Sequence, residues 1–330
     1  MVFDLVFKKL FGNSKKAVIS KPAIRKPIEA PSATPEEISR LFISTLLNED
    51  SRQNACYSNE LDQKLTQEVL VELAQFNIDS IPKIAQSSVS LMERLIDPAV
   101  SSNDIVSIIK EDPVLLGKLL QSANSAFYKN SENEIKSIED AIVRIGNDGV
   151  RKLVINSLLA NQLKISTIYF EYFGFNIWQH SIEVATMAAK YAREQGENEF
   201  KAYLNGLIHD VGKLMIFRLL IKVLDQEPPD TYPSKHFFAK IIDRHSHQLT
   251  LAAINEWGLP LEWIKPTLMY RSNLPLEEMD TDGKALFISN HCSEFYRLTQ
   301  LELIDDKELS ALLNDRAIEF SLYQGLVSSL

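Results

Sequence analysis

Apolar residues recur at helical spacing along most of the chain. Between residues 102 and 110, for example, Ile105, Ile108 and Ile109 fall on one face of a helix. No stretch alternates between apolar and polar residues over the length of a strand, so the pattern predicts an all-α fold. The longer predicted helices span residues 65–76, 150–163, 178–193, 201–220, 237–257 and 284–298, with a turn expected at residues 173–175.

Basic residues are concentrated at the N-terminus. Residues 1–27 contain seven Lys or Arg residues and one acid, a net charge of +6 in a chain whose net charge is −9. Several prolines interrupt this region, and we therefore predict that residues 1–33 form a mostly disordered tail. The alternative is that the apolar run from Val2 to Phe11 forms an amphipathic helix, which would contact an acidic membrane surface or a partner's groove.

A helix-start signal follows this tail. Thr34-Pro35-Glu36-Glu37 has Thr at the capping position, Pro at the first helical position and an acid three residues after the Thr. Apolar residues continue at helical spacing beyond it. We interpret residues 34–77 as an N-terminal helical extension.

The size and composition restrict the class of protein. With 330 residues the chain is long enough for two domains, and its apolar runs are far shorter than the roughly 20 residues of a membrane span. Met1-Val2-Phe3-Asp4 has no basic residue that would open a secretion signal, so we expect a cytoplasmic protein with Cys56 and Cys292 as reduced thiols. The acidic net charge argues against nucleic acid as a partner.

The segment from Gly206 to Leu214 contains the residues with the clearest chemistry, His209 and Asp210. Imidazole and carboxylate groups together suit a divalent metal, and such a metal can activate water for hydrolysis. On a continuous helix the two side chains would point about 100° apart, so an ion between them would need further ligands.

Several short motifs occur in a fixed order around this pair. They are Ile81-Pro82-Lys83-Ile84, Ile109-Lys110-Glu111-Asp112-Pro113, the run from Leu119 to Ala126, the run from Ala141 to Gly146, Trp178-Gln179-His180-Ser181, and Trp257-Gly258-Leu259-Pro260. Together they resemble the HDOD domain, a bacterial signalling and output branch of the HD superfamily. The resemblance covers residues 78–295 and implies a multi-helix bundle with an N-terminal helical half and an HD-like C-terminal half. Residues 296–330 are expected to form helices that pack on it.

The resemblance also implies a metal site. Catalytic HD phosphohydrolases hold the metal with a His on one helix, the His-Asp pair on another and a later Asp. His180, His209 and Asp210 match the first three, but Asn290 stands where the later Asp is expected. Because Asn offers a carbonyl oxygen without a charge, we predict a degenerate site for one divalent metal ion. Lys213 is a candidate phosphate-binding residue.

A second metal would need further histidines, and the chain lacks a clear set. His245 and His247 flank Ser246, which occupies the family's usual His position, and Met269-Tyr270-Arg271 stands where a later His pair is expected. His291 would point about 100° away from the position of the missing Asp.

Three functions stay open at this point. The first is a signalling or regulatory module that binds signalling proteins or a small ligand, with His209-Asp210 as a structural pair or a metal site without turnover. The second is a metal-dependent phosphohydrolase acting on a nucleotide or another phosphoester. The third is an interaction protein recruited through residues 1–27. We favour the first, because Asn290 removes a charged ligand and HDOD domains in general are thought to have lost catalysis.

Overall fold

The computed structural model describes residues 35–46, 59–75, 81, 83–110, 113–125, 128, 135–163, 171–227, 234–269 and 274–330. Within these ranges every regular element is a helix, which confirms the all-α prediction. Among the same residues, no helix is both long enough and apolar enough to cross a membrane. The predictions for residues 1–33 and for Cys56 lie outside the described part of the chain.

The helices form two compact units. In chain order they are α1 (Pro35–Leu46), α2 (Asn59–Ala74), α3 (Gln86–Ile96), α4 (Ser102–Lys110), α5 (Pro113–Ala123), α6 (Ile138–Ile145), α7 (Asn147–Leu163), α8 (Glu171–Glu194), α9 (Glu199–Ile208), α10 (Val211–Leu224), α11 (Lys235–Glu256), α12 (Leu261–Met269), a 3-10 turn (Leu276–Glu278), α13 (Thr281–Gln300), α14 (Asp306–Asp315) and α15 (Phe320–Val327). The first unit contains α3 to α7, and the second contains α1, α2 and α8 to α15.

In the first unit, one buried and one half-buried polar side chain join separate segments of the chain. Arg151 on α7 donates hydrogen bonds to the carbonyl oxygens of Leu95 and Asp97 at the end of α3. Asn124, just after α5, exchanges two hydrogen bonds of 2.8 Å with the backbone of Ile135. Asn124 therefore satisfies the backbone groups of a residue that lies outside the helices.

Two predicted boundaries in the second unit were wrong. Helix α8 begins at Glu171 and runs through residues 173–175, where we expected a turn, because Phe173 is buried and stacks on Phe217 with ring centroids 3.9 Å apart. The predicted helix over residues 201–220 is instead two helices, α9 and α10. Asp210 separates them with φ −113° and ψ 12°, outside the α-helical range.

Helix α1 joins the second unit through one apolar face. Ile38, Phe42, Ile43 and Leu46 lie on this face, and each is at most 5% exposed. Their spacing is that of an amphipathic helix, which explains why a helix of only 12 residues is held. The face packs against α8, α11 and α13.

Two glycines permit close helix packing beside the break between α9 and α10. A Cβ on Gly206 would lie 2.4 Å from the Ala185 Cα on α8. A Cβ on Gly212 would lie 1.8 Å from the Ser246 carbonyl oxygen on α11. Neither position has room for a side chain, so the glycines set how closely α9 and α10 approach their neighbours.

We predict that Gly212→Ala lowers the free energy of unfolding by about 3 kcal/mol, because the new methyl group overlaps backbone rather than a flexible side chain. Gly325→Ala is the matched control. Gly325 lies in α15 with no atom within 4 Å of its added Cβ, so this change should stabilise by up to about 1 kcal/mol. Urea denaturation of both variants measures the difference, and equal values would contradict the packing argument.

Candidate metal centre

Three segments of the second unit bring the predicted metal ligands together. His180 lies in the middle of α8, His209 and Asp210 form the break between α9 and α10, and Asn290 lies in the middle of α13. The ligand atoms offered by His180, His209 and Asp210 all lie within 4.8 Å of one another.

The break between α9 and α10 is held by Thr250 of α11. The Thr250 hydroxyl accepts a hydrogen bond of 2.9 Å from the Gly212 backbone N–H and donates one of 3.3 Å to the His209 carbonyl. It thus partners backbone groups on both sides of the interruption. Because the helix is interrupted, the His209 and Asp210 side chains point to the same place, with Nε2 and Oδ2 3.3 Å apart.

Asn290 stands at the middle of the cluster. Its Oδ1 lies 3.0 Å from the Nε2 atoms of both His180 and His209. The Asp210 Oδ2 lies 3.4 Å from His180 Nε2 and 3.3 Å from His209 Nε2. Four atoms that can accept hydrogen bonds or bind a metal therefore converge from three helical segments.

The outward ring nitrogens fix the tautomers of the two histidines. The Nδ1 of His209 lies 2.8 Å from the Gly206 carbonyl oxygen, an acceptor, so Nδ1 carries a proton. Ser293 donates its hydroxyl proton to Glu183, so the Nδ1 of His180 must donate to Ser293 Oγ, 2.9 Å away. Each neutral ring then directs an Nε2 lone pair inward, the arrangement typical of metal-binding histidines.

This donor set fits a divalent cation. Lone pairs and a carboxylate that face one another in a buried place repel unless a proton or a metal ion lies among them. Ligand atoms around an ion with bonds of roughly 2.1 Å stand roughly 3.0 to 3.4 Å apart, as do the two His–Asn pairs and the two His–Asp pairs here. His180, His209, Asp210 and Asn290 would hold the ion, which would act as a Lewis acid toward a bound water.

A carboxylate stands behind Asn290. The amide Nδ2 of Asn290 donates a hydrogen bond of 3.1 Å to the Glu294 carboxylate, one turn further along α13. This bond orients the amide so that Oδ1 faces the histidines, and it polarises that oxygen toward negative charge. Asn290 is therefore a stronger ligand than an isolated amide, although it carries no charge of its own.

Lys213 holds the same oxygen of Asp210 that faces the histidines. The Lys213 ammonium lies 2.5 Å from Asp210 Oδ2 and 5.4 Å from the centre of the Phe42 ring. Burial alone would raise the pKa of Asp210, but the facing imidazole rings and the Lys213 ammonium outweigh that effect and hold the pKa well below its usual value. Asp210 is thus an anion with a cation of the chain itself beside it.

Burial lowers the pKa of His180, and the neighbouring Asp210 only partly offsets that effect. His180 is therefore neutral near pH 7, as the tautomer argument requires.

The centre is closed in the described part of the chain. His180, His209, Asp210, Lys213 and Asn290 are 0, 2, 6, 3 and 1% exposed. The Phe42 ring of α1 packs on the His180 ring with centroids 4.6 Å apart and is itself fully buried. Solvent has no direct path to the ligands in this conformation.

Other sequence candidates lie away from the centre. His291 turns back to its own helix, with Nδ1 2.8 Å from the Phe287 carbonyl oxygen. His245 and His247 on α11 are not among the grouped ligands of the described residues, and Tyr270 and Arg271 are outside those residues. The sequence reading missed Ser293 and Glu183, although each lies three residues after a predicted ligand and so on the same helix face.

Comparison with known proteins identifies the family. The HDOD domain model matches residues 81–272, more than half of the chain, so the chain belongs to the HDOD domain family. Helix α1 and Asn290 lie outside the matched residues.

Relatives of known name match over shorter stretches. Ribonuclease Y of Fervidobacterium nodosum is 41% identical over 83 residues, 25% of this chain and 15% of that protein. Ribonuclease Y 1 of Pediococcus pentosaceus is 36% identical over 109 residues, 30% of this chain and 20% of that protein. The chain thus spans a fifth or less of these relatives.

Two crystal structures share the fold. One is a candidate metal-dependent phosphohydrolase from Shewanella amazonensis SB2B, 17% identical with a TM-score of 0.51, covering 82% of this chain and 99% of that one. The other is a candidate signal transduction protein from Marinobacter aquaeolei VT8, 19% identical with a TM-score of 0.51, covering 84% of this chain and 66% of that one. At these identities the similarity extends to the fold alone.

We predict that Lys213→Met, measured by urea denaturation in the presence of EDTA, lowers the free energy of unfolding by about 3 to 5 kcal/mol, because Asp210 becomes a buried anion without its cation. The double variant Lys213→Met/Asp210→Asn should lose much less than the sum of the two single changes. Additive losses would mean that the two side chains do not depend on each other.

Proposed function

We propose that this protein is a cytoplasmic signal-transduction or regulatory module that acts by binding a signalling protein or a small ligand. We further propose that its centre binds one divalent cation without turnover. The single observation that carries the proposal is the position of the Asp210 Oδ2 atom. It faces the Nε2 atoms of both histidines and is paired with the buried Lys213 ammonium.

The absence of turnover follows from what hydrolysis requires. A catalytic metal needs a coordination position open to water and a path by which the phosphoester reaches it. In the closed conformation described here the four inward atoms are buried, Phe42 covers His180, and Lys213 is paired with Asp210 rather than available to a phosphate. The predicted role of Lys213 in phosphate binding would require this ion pair to break.

The alternative is a metal-dependent phosphohydrolase. The inward lone pairs of His180 and His209 favour it, and so does the name of the Shewanella structure with the same fold. Against it stands Asn290, which leaves Asp210 as the only charged group among the four ligands. A site with one anionic ligand also has less negative charge to retain the metal through a reaction cycle.

We predict that Mn²⁺ stabilises the protein, by about 2.7 kcal/mol when the free ion is a hundredfold above its Kd. Asn290→Asp should respond more strongly, because the ion gains a second anionic ligand. Without metal the same variant should be less stable than the unchanged protein. It loses the hydrogen bond to Glu294 and places a carboxylate 3.1 Å from that residue's oxygen, close to Asp210 as well.

Asn205→Asp is the matched control. Asn205 is a buried Asn of the same unit whose partners are the Thr267 hydroxyl and backbone carbonyls, so its change should destabilise without altering the Mn²⁺ effect. Thermal melts of the three proteins with Mn²⁺ and with EDTA make the comparison. Identical Mn²⁺ shifts in the unchanged protein and Asn290→Asp would contradict the assignment of Asn290 as a ligand.

We predict no turnover above background for bis(p-nitrophenyl) phosphate or a cyclic dinucleotide in the presence of Mn²⁺. His209→Ala provides the baseline, since it removes an inward ligand. Hydrolysis by the unchanged protein that disappears in His209→Ala would establish the phosphohydrolase alternative.

A further inference from the structure

We propose that helix α1 is a lid on the His–Asp centre, and that its displacement opens the centre to water and to a divalent cation. The lid residue is Phe42. Its ring lies against His180 on one side and within 5.4 Å of the Lys213 ammonium on another, so one side chain covers both groups.

The contact between Phe42 and Lys213 is a cation–π interaction, which stabilises the positions of both side chains. An ammonium near an aromatic face is attracted by the ring, and the attraction strengthens where water is excluded. Phe42 is fully buried and the Lys213 side chain is 4% exposed, so water is excluded here. The lid therefore favours the position of Lys213 in which its ammonium stays on Asp210.

Helix α1 is attached at its C-terminal end by specific hydrogen bonds. Asn176 of α8 donates a hydrogen bond of 3.0 Å to the Leu46 carbonyl, in the last turn of α1. Arg297 of α13 donates one of 3.1 Å to the Thr45 hydroxyl. Both donors belong to the helices that carry His180 and Asn290, so the lid is fastened to the walls of the centre.

The centre does not depend on the lid for its own geometry. His180, His209, Asp210 and Asn290 are positioned by α8, α9, α10 and α13. Gly206 lets α9 pack closely on α8, α13 packs on both, and Gly212 lets α10 pack closely on α11. Helix α1 contributes none of the ligand atoms. Displacing four apolar side chains and two hydrogen-bonded groups would expose His180 and Lys213 while the ligand set stayed together.

This arrangement gives the proposed binding module a conformational switch. In the closed state Phe42 and the Lys213–Asp210 pair occupy the approach to the ligands. In the open state a divalent cation can reach them, and binding of that cation in turn favours whichever state admits it. The admission of a cation rests on the cation site proposed above, whereas the covering of His180 and His209 by α1 does not depend on it.

Histidine labelling tests access directly. Full-length protein in EDTA is treated with diethyl pyrocarbonate, and the labelling rates of His180 and His209 are measured by peptide mass spectrometry. His236 is exposed and serves as the internal reference. In the unchanged protein we expect both buried histidines to react at least about tenfold more slowly than His236, since reaction requires local opening.

Phe42→Ala should raise the rates of His180 and His209 at least about fivefold, because the ring that covers the opening is removed. Phe42→Leu, which keeps most of the bulk, should restore protection. Phe173→Ala is the matched control, since Phe173 is an equally buried Phe of the same unit that stacks on Phe217 rather than on the centre. It should leave the protection of both histidines unchanged.

Asn176→Ala supplies a second test should Phe42→Ala fail to fold. It removes the hydrogen bond to the Leu46 carbonyl and leaves Phe42 in place, so it should raise the labelling rates of both histidines through more frequent opening of α1. Three outcomes overturn the proposal. They are rapid labelling of His180 and His209 in the unchanged protein, continued protection of both histidines in Phe42→Ala and Asn176→Ala, or an equal rise of their labelling rates in Phe173→Ala. A failure of Mn²⁺ to stabilise the protein would contradict the proposed cation site and leave these labelling results unaffected.

Discussion

The two-residue interruption between α9 and α10 is the constraint on which the centre depends. In a continuous helix the side chains of His209 and Asp210 would diverge by about 100°, and no common ion could lie between them. The interruption brings His209 Nε2 and Asp210 Oδ2 to 3.3 Å. Thr250 holds it by partnering the backbone on both sides, and Gly212 lets α11 approach closely enough to do so. The close packing of α10 on α11 is therefore also what allows the His209 and Asp210 side chains to converge.

The electrostatics of the centre follow from that convergence. Two histidine lone pairs, a carboxylate and an amide oxygen face one another away from water, and only a cation relieves their repulsion. The chain supplies one cation itself, since Lys213 neutralises Asp210. The neutral Asn290 lowers the negative charge that a metal would meet, while Glu294 behind it restores part of the attraction. Some groups of the centre therefore favour metal binding, while Lys213 stabilises the same centre in the absence of a metal.

The sequence predicted the class of fold, and it singled out four residues whose side chains the structure brings together, but the contacts that position them were only partly visible in the sequence. The interruption was missed because Leu207, Ile208 and Val211 continue the apolar helical pattern through it. The hydrogen bonds of Thr250 to the His209 carbonyl and the Gly212 amide involve backbone groups, which that pattern does not reveal. Ser293 could have been found from its spacing along its helix. The role of Phe42 could not, because it lies 138 residues before His180 and outside the HDOD match, and only the packing of α1 brings the two rings together.

The central claim is that the inward atoms of His180, His209, Asp210 and Asn290 form a site for one divalent cation. Anomalous X-ray diffraction from crystals grown with Mn²⁺ tests it most directly, because the ion itself is located. The account predicts a single anomalous peak in contact with both Nε2 atoms, the Asp210 carboxylate and Asn290 Oδ1. Absence of that peak at saturating Mn²⁺, or two peaks roughly 3.5 to 4 Å apart as in dinuclear hydrolases, would contradict it.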